Sequence, residues 1–170
     1  MDAPSFTIDK AKRYSAELVT TLGTIVVALD PLAAPMTVNN FVYLARSGFY
    51  DGLTFHRVLP GFMIQGGDPI GMGTGGPGYY IKDEFASKLL FDKPGRLAMA
   101  HTPYPNSGGS QFFVTEVNVP ELNGQYAIFG QCNDGLDIVK NIARVPIRGN
   151  PEMGRPVSEV FIKHIEITYK

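Results

Sequence analysis

The chain has 170 residues, 44% hydrophobic and 18% charged, with a formal charge of −1. That balance describes one globular domain able to bury a core and excludes a disordered chain. The near-neutral charge supplies no field that would gather nucleic acid or an anionic membrane, so neither is expected as a partner.

Taken from the N-terminus, residues 1–13 read as a short extension whose densest charges, Lys10, Lys12 and Arg13, are expected to be solvated. Residues 14–170 read as the domain. No basic region followed by an apolar run marks a secretory leader, and no apolar stretch reaches the length of a membrane span, so a cytoplasmic location is expected. Short β-like runs at 15–20 and 24–29, joined through Thr21-Leu22-Gly23, form a hairpin. Residues 35–47 form a helix with Val38, Phe41, Val42 and Ala45 on one stripe, opened by Pro35 and closed by Gly48. Further strands are expected at 54–58, 63–66, 96–100, 111–115 and 128–131. A second helix at 135–143 stripes Leu136, Val139 and Ile142. A last strand spans 160–168, with Phe161, Lys163 and Ile165 alternating. His164 within it reads as structural. Many short strands punctuated by 19 glycines and 13 prolines suggest a barrel or a sandwich. The single cysteine, Cys132, permits no intrachain disulfide or thiolate cluster, fits a reducing compartment, and is expected to pack as a small hydrophobe.

Three pattern matches carry no function. Gly71-Met72-Gly73-Thr74-Gly75-Gly76 fits the dinucleotide-binding spacing, but Pro77-Gly78-Tyr79-Tyr80 follows where a helix is required. His56, His101 and His164 have no metal-ligand spacing, so no metal is expected. Ser107 and Ser110 near His101 lack a nucleophile elbow. No cofactor is implied.

The stretch from Thr54 to Asp68 holds the chemistry. One permanent cation, Arg57, sits among Phe55, Phe62 and Met63 with the neutral amide of Gln65 nearby, and no carboxylate intervenes between Thr54 and Gln65. Such a set is poor for acid–base work and suited to holding an uncharged amide against an apolar floor. Gly109-Ser110-Gln111-Phe112-Phe113 repeats the theme. Taken alone, such an arginine is more often structural, paired with an acid such as Asp68 or Glu84, and Phe62, Met63 and Phe113 are ordinary core.

These residues also carry a resemblance. Phe55-His56-Arg57-Val58-Leu59-Pro60-Gly61-Phe62-Met63-Ile64-Gln65-Gly66-Gly67-Asp68 resembles the signature of the cyclophilins, peptidyl-prolyl cis–trans isomerases. Gly73-Thr74-Gly75-Gly76, Asp83-Glu84-Phe85, Leu97-Ala98-Met99-Ala100, Gly109-Ser110-Gln111-Phe112-Phe113 and Phe129-Gly130 follow in the family's order, covering about residues 14–168. The resemblance implies a mainly β fold: a closed eight-stranded antiparallel β-barrel capped by two α-helices. It implies catalysis by Arg57, with Gln65 and His56 beside it. Gln65 is expected to orient Arg57, and His56 to be hydrogen-bonded and to orient its neighbours. The implied substrate-binding set is Phe62, Met63, Gly73, Ala100, His101, Gln111, Phe113, Leu122 and Tyr126. Partners would be proline-containing peptides and unfolded protein clients, met by a monomer. The competing reading is a non-catalytic proline-peptide binding or chaperone module on the same scaffold.

Three positions leave the family pattern. Glu121 precedes Leu122 where many members carry tryptophan, and the chain has no Trp. Weak cyclosporin binding is therefore expected. Tyr126 stands where a histidine is common, and His101 replaces the usual asparagine after Met99-Ala100.

Overall fold

Tyr14, Ala16, Leu18 and Thr20 are buried while the residues between them are not, the period-two signature of a strand with one face on a core. This strand, β1 (Tyr14–Thr20), pairs with β2 (Gly23–Leu29) and with the last strand, β10 (Ile162–Tyr169). The computed structural model describes residues 2–85 and 88–170. Between β2 and β10 come β3 (Arg57–Leu59), β4 (Met63–Gly66), β5 (Arg96–Met99), β6 (Phe112–Thr115) and β7 (Ile128–Asp134). All eight join in one antiparallel sheet ordered β10-β1-β2-β7-β5-β6-β4-β3. A small pair, β8 (Ile147–Arg148) and β9 (Arg155–Pro156), was not expected from the sequence.

The closed barrel is only partly realised. β3 and β10, the two ends of the sheet, do not form a ladder. Closure rests on a single bridge, Thr54 to Phe161, and on flanking backbone bonds between residues 52–55 and 160–162. The reason lies at the free edge of β3, where the Val58 N–H donates to the Gly154 carbonyl at 2.8 Å. The β8–β9 hairpin therefore covers the edge a closing strand would use. Gly154 is needed there: its φ is +58°, and a Cβ would stand 2.3 Å from the Val58 carbonyl oxygen.

Helix α1 (Pro35–Arg46) begins at Pro35 and is followed by Gly48 at φ +74°. Its stripe of Val38, Phe41, Val42 and Ala45 is buried. Phe41 meets Tyr50, Phe112 and Phe129 at ring-centroid distances of 5.3 to 5.5 Å, so the helix seals one end of the sheet with aromatic contacts. Its N-cap, Ala34, has no side-chain acceptor. Glu84 supplies one from far along the chain, accepting from Met36 N, Thr37 N and Thr37 Oγ1 at 3.2, 2.7 and 2.7 Å. Helix α2 (Leu136–Ala143) buries Val139, Ile142 and Ala143, while Leu136 is only partly buried. Cys132 is buried within β7. Near the N-terminus, Thr7 N and Ile8 N donate to Asn39 Oδ1, Ile8 joins the core, and Lys12 lies over the Tyr169 ring. No helix among the described residues is long and apolar enough to cross a membrane.

Candidate active site

Alternation along β4, β5, β6 and β7 gives the sheet two apolar faces. Ile64, Leu97, Phe112, Val114 and Phe129 point into the main core. Their neighbours Met63, Ala98, Phe113 and Ile128 point the other way and form a second cluster with Phe91 and Val119. A one-residue slip would exchange the two sets. Around this second cluster lie the partly buried Phe62, Leu122, Tyr126 and Ala100. Phe113 stacks at 6.0 Å on Phe91 and meets Tyr126 edge-on at 5.2 Å. The result is an apolar floor on the outer face of the sheet, made by strands that are buried on both sides.

Arg57 and Gln65 stand at the margin of this floor. They are directly opposed in the β3–β4 register, and Gln65 is in turn opposite Phe113. Directly opposed residues share a face, so all three project on the outer side. The Arg57 guanidinium donates to the Glu152 carbonyl at 3.4 Å and forms no ion pair with a carboxylate among the described residues. The acids proposed as its structural partners are engaged elsewhere. Glu84 caps α1, and Asp68 accepts from Ile70 N, Met72 N and Gly73 N at 2.8, 3.1 and 2.5 Å. Burial works to raise the Asp68 carboxyl, but the backbone donors of Ile70, Gly75 and Gly73, with His56, outweigh it and hold the group below its ordinary value.

Gln65 does not orient Arg57 through a hydrogen bond. Its Nε2 donates to Gln111 Oε1 at 3.0 Å, and Gln111 Nε2 donates to the Gly75 carbonyl at 2.9 Å. This relay of amides links β4, the start of β6 and the glycine loop. His56 is half-buried beside that loop, and its Nδ1 has no hydrogen-bond partner among the described residues. Burial lowers its pKa most; Asp68 opposes, and Arg155 and Arg57 add to the lowering. The imidazole is therefore neutral near pH 7.

A cleft of about 800 Å³ opens beside the apolar floor. Gln65, Gly73, Ala100, His101 and Gln111 line it, together with residues of the 74–80 loop. The expected substrate-binding residues thus fall into two adjoining groups. Phe62, Met63, Phe113, Leu122 and Tyr126 belong to the floor, and Gly73, Ala100, His101 and Gln111 to the cleft. His101 stacks on Tyr126 at 4.6 Å. Its Nδ1 and Nε2 approach the carbonyls of Thr102 and Gln125 at 2.7 and 2.6 Å.

The segment carrying Gln111 is fixed from behind. Asn40 Nδ2 donates to the Gly109 carbonyl at 2.7 Å, Tyr50 Oη to the Ser110 carbonyl at 3.0 Å, and Ser110 Oγ to the Gly67 carbonyl at 2.7 Å. Tyr79 Oη donates to Asn40 Oδ1. Burial, helped by Tyr43, pushes the Tyr79 phenol up to about 12, so it remains a donor. Sequence reasoning missed Phe91, Asn40 and this network. Alternation in β5 does signal Ala98, but Phe91 lies outside any strand and nothing local marks it.

The chain matches the family described as "Cyclophilin type peptidyl-prolyl cis-trans isomerase/CLD" over residues 15–167. It is 44% identical to peptidyl-prolyl cis-trans isomerase A of Mycobacterium tuberculosis, covering 98% of this chain and 99% of that protein. It is 53% identical to peptidyl-prolyl cis-trans isomerase B of Bacillus subtilis, over 68% of this chain and 80% of the relative. A crystal structure of a Cryptosporidium parvum cyclophilin type peptidyl-prolyl cis-trans isomerase superposes with a TM-score of 0.86 at 37% identity, covering 92% of this chain and 98% of the other. A second structure of that protein, obtained in the presence of the dipeptide Ala-Pro, gives 0.85.

Proposed function

The chain belongs to the cyclophilin family and is a peptidyl-prolyl cis–trans isomerase, and from that premise we propose that Arg57 drives the rotation while the apolar floor holds the proline ring. Resonance stiffens the peptide bond, with a barrier of about 18–20 kcal/mol. Before proline the two isomers differ by only about 0.5–1 kcal/mol, so both are populated yet exchange slowly. No covalent bond need form and no proton need move. The catalyst must bind the twisted imide, whose nitrogen has regained its lone pair, better than the planar one.

A guanidinium near that nitrogen does this, and an arginine keeps its charge across the physiological range. The observation that carries the reading is that Arg57 pairs with no carboxylate among the described residues, at the edge of a floor made by Phe62, Met63, Phe113, Leu122 and Tyr126. A guanidinium already paired to an acid would have its charge cancelled at the moment of need. One charge-assisted hydrogen bond contributes about 1.5–3 kcal/mol, or roughly 10- to 150-fold in rate. The remainder comes from a dry pocket and a firm hold on the flanking chain. Gln65, Gln111 and the backbone around Gly73, Ala100 and His101 supply that hold in this reading. His56, neutral beside Arg57, adds no competing charge.

Substrates are proline-containing peptides, and unfolded chains are the clients of a monomer in the cytoplasm. Exchange NMR on an Ala-Pro peptide tests the activity. Catalytic amounts of the protein should broaden and merge the cis and trans signals. Signals that shift on binding but keep their uncatalysed exchange rate would mark a binding module instead.

A further inference from the structure

Glu116 immediately follows β6, and its side chain is only 2% exposed, yet nothing in the chemistry above employs it. Carboxylates are seldom buried so deeply unless paired and hydrogen-bonded. This one is both. Its Oε1 lies 2.5 Å from Arg144 Nη2, and its Oε2 accepts the Gly61 N–H at 3.2 Å. The backbone N–H of Glu116 donates to the Phe62 carbonyl at 2.8 Å. One residue therefore grips both Gly61 and Phe62, at the tip of the β3–β4 hairpin.

That tip is a tight turn. The Phe62 N–H donates to the Leu59 carbonyl at 3.1 Å, and Gly61 has φ +73°. Proline at the second position and a positive-φ glycine at the third are the marks of a type II turn. The Pro60–Gly61 peptide unit takes opposite orientations in type I and type II turns, so an acceptor fixed on one side selects one of them. Glu116 is that acceptor. Arg144, just beyond α2, steers it from outside: its Nη1 donates to the Lys140 carbonyl at 3.0 Å, and its side chain is 53% exposed. Phe62 leaves this turn to pack against the apolar floor.

We infer that Glu116, oriented by Arg144, is a positioning residue for prolyl isomerisation, fixing the Gly61 turn so that Phe62 stands as one wall of the proline pocket. The inference rests on the assignment of Phe62 to that pocket. Glu116 touches no substrate. Its loss lets the turn change form and loosens binding, while the rotation step, which depends on Arg57, is left nearly intact.

Steady-state kinetics on a proline tetrapeptide test this with Arg144→Ala, Arg144→Lys, Glu116→Gln and, as a control, Phe62→Ala. Arg144→Ala strands the buried Glu116 carboxylate, whereas Arg144→Lys keeps a cation beside it and Glu116→Gln removes the charge itself, so these two variants carry the test if Arg144→Ala does not fold. Arg144→Ala and Glu116→Gln should raise KM about two- to tenfold, the range of one net hydrogen bond, with kcat within about twofold. Arg144→Lys should recover most of the KM. The Gly61 amide NMR signal should move in the same variants that raise KM. If Phe62→Ala raises KM and the Arg144 and Glu116 variants do not, the inference is overturned and the pocket assignment survives. If Phe62→Ala leaves KM unchanged, both fall together. A drop in Tm and kcat with KM constant would show a merely structural role and also overturn it.

Discussion

Arg57 faces Gln65 across the β3–β4 ladder, but the Gln65 amide donates to Gln111 at 3.0 Å and leaves the guanidinium uncompensated by any acid among the described residues. Cation and amide are therefore tuned by different neighbours. The guanidinium stays available at the margin of the floor, while the amide is committed to a relay ending at the Gly75 carbonyl.

That relay predicts coupling. Gln65→Ala and Gln111→Ala should each lower kcat/KM about tenfold. The double variant should lose less than the product, with an interaction energy of about 0.5–3 kcal/mol, because either change breaks the same chain. Strict additivity in a double-mutant cycle would mean that the two amides act separately.

Glu84 should matter to stability and not to turnover. Glu84→Ala strips the carboxylate that accepts from Met36 N and Thr37 N in the first turn of α1 and should cost about 0.5–2 kcal/mol in chemical denaturation. The kcat/KM of the folded variant should stay within about twofold of wild type. A large loss of activity at unchanged stability would place Glu84 in the active site after all.

Two histidines should respond to pH with opposite sign. His56 has its pKa lowered, chiefly by burial. Its contribution to stability is complete above the unfolded value of about 6.5 and is lost as pH falls through the lower folded value. His164 has its pKa raised, first by its hydrogen bond to Glu166 and then by Asp51. Its contribution is complete below about 6.5 and disappears as pH rises through the higher folded value. Urea unfolding between pH 5 and 8 should therefore show a shallower acid-side loss in His56→Gln than in wild type. His164→Gln should remove a gain on the same side. The reverse pattern would contradict the assigned environments.

Cyclosporin should bind weakly, at micromolar Kd or about −8 kcal/mol at best. Glu121 is exposed at the rim beside Leu122 and offers neither the indole N–H nor the broad apolar face of a tryptophan. Glu121→Trp should tighten binding at least about tenfold by calorimetry, or about 1.4 kcal/mol. Nanomolar binding to the unmodified protein would refute this.

Much of the fold was readable because its determinants are local. The α1 stripe, the β1–β2 hairpin and the Met63–Gly66 strand lie where periodicity and turn residues put them. The incomplete barrel closure was not readable, since it depends on Gly154 approaching Val58 from almost a hundred positions away. The site divides the same way. Arg57, Gln65, Phe113 and Gln111 announce themselves by residue type and motif. Phe91, which Phe113 stacks upon, sits outside any periodic run. The departures at His101 and Tyr126 look independent in sequence, but the rings stack at 4.6 Å. His56 was expected to be hydrogen-bonded, but its Nδ1 finds no partner among the described residues; a sequence shows a donor or acceptor but not whether the fold supplies its partner.

The proposed role of the Arg57 guanidinium has one direct test. In exchange NMR or a protease-coupled assay, Arg57→Ala should lower kcat/KM by roughly 10- to 150-fold, the worth of one charge-assisted hydrogen bond to the twisted imide, while the variant stays folded and still binds the peptide. A folded Arg57→Ala protein with near-normal kcat/KM would contradict it.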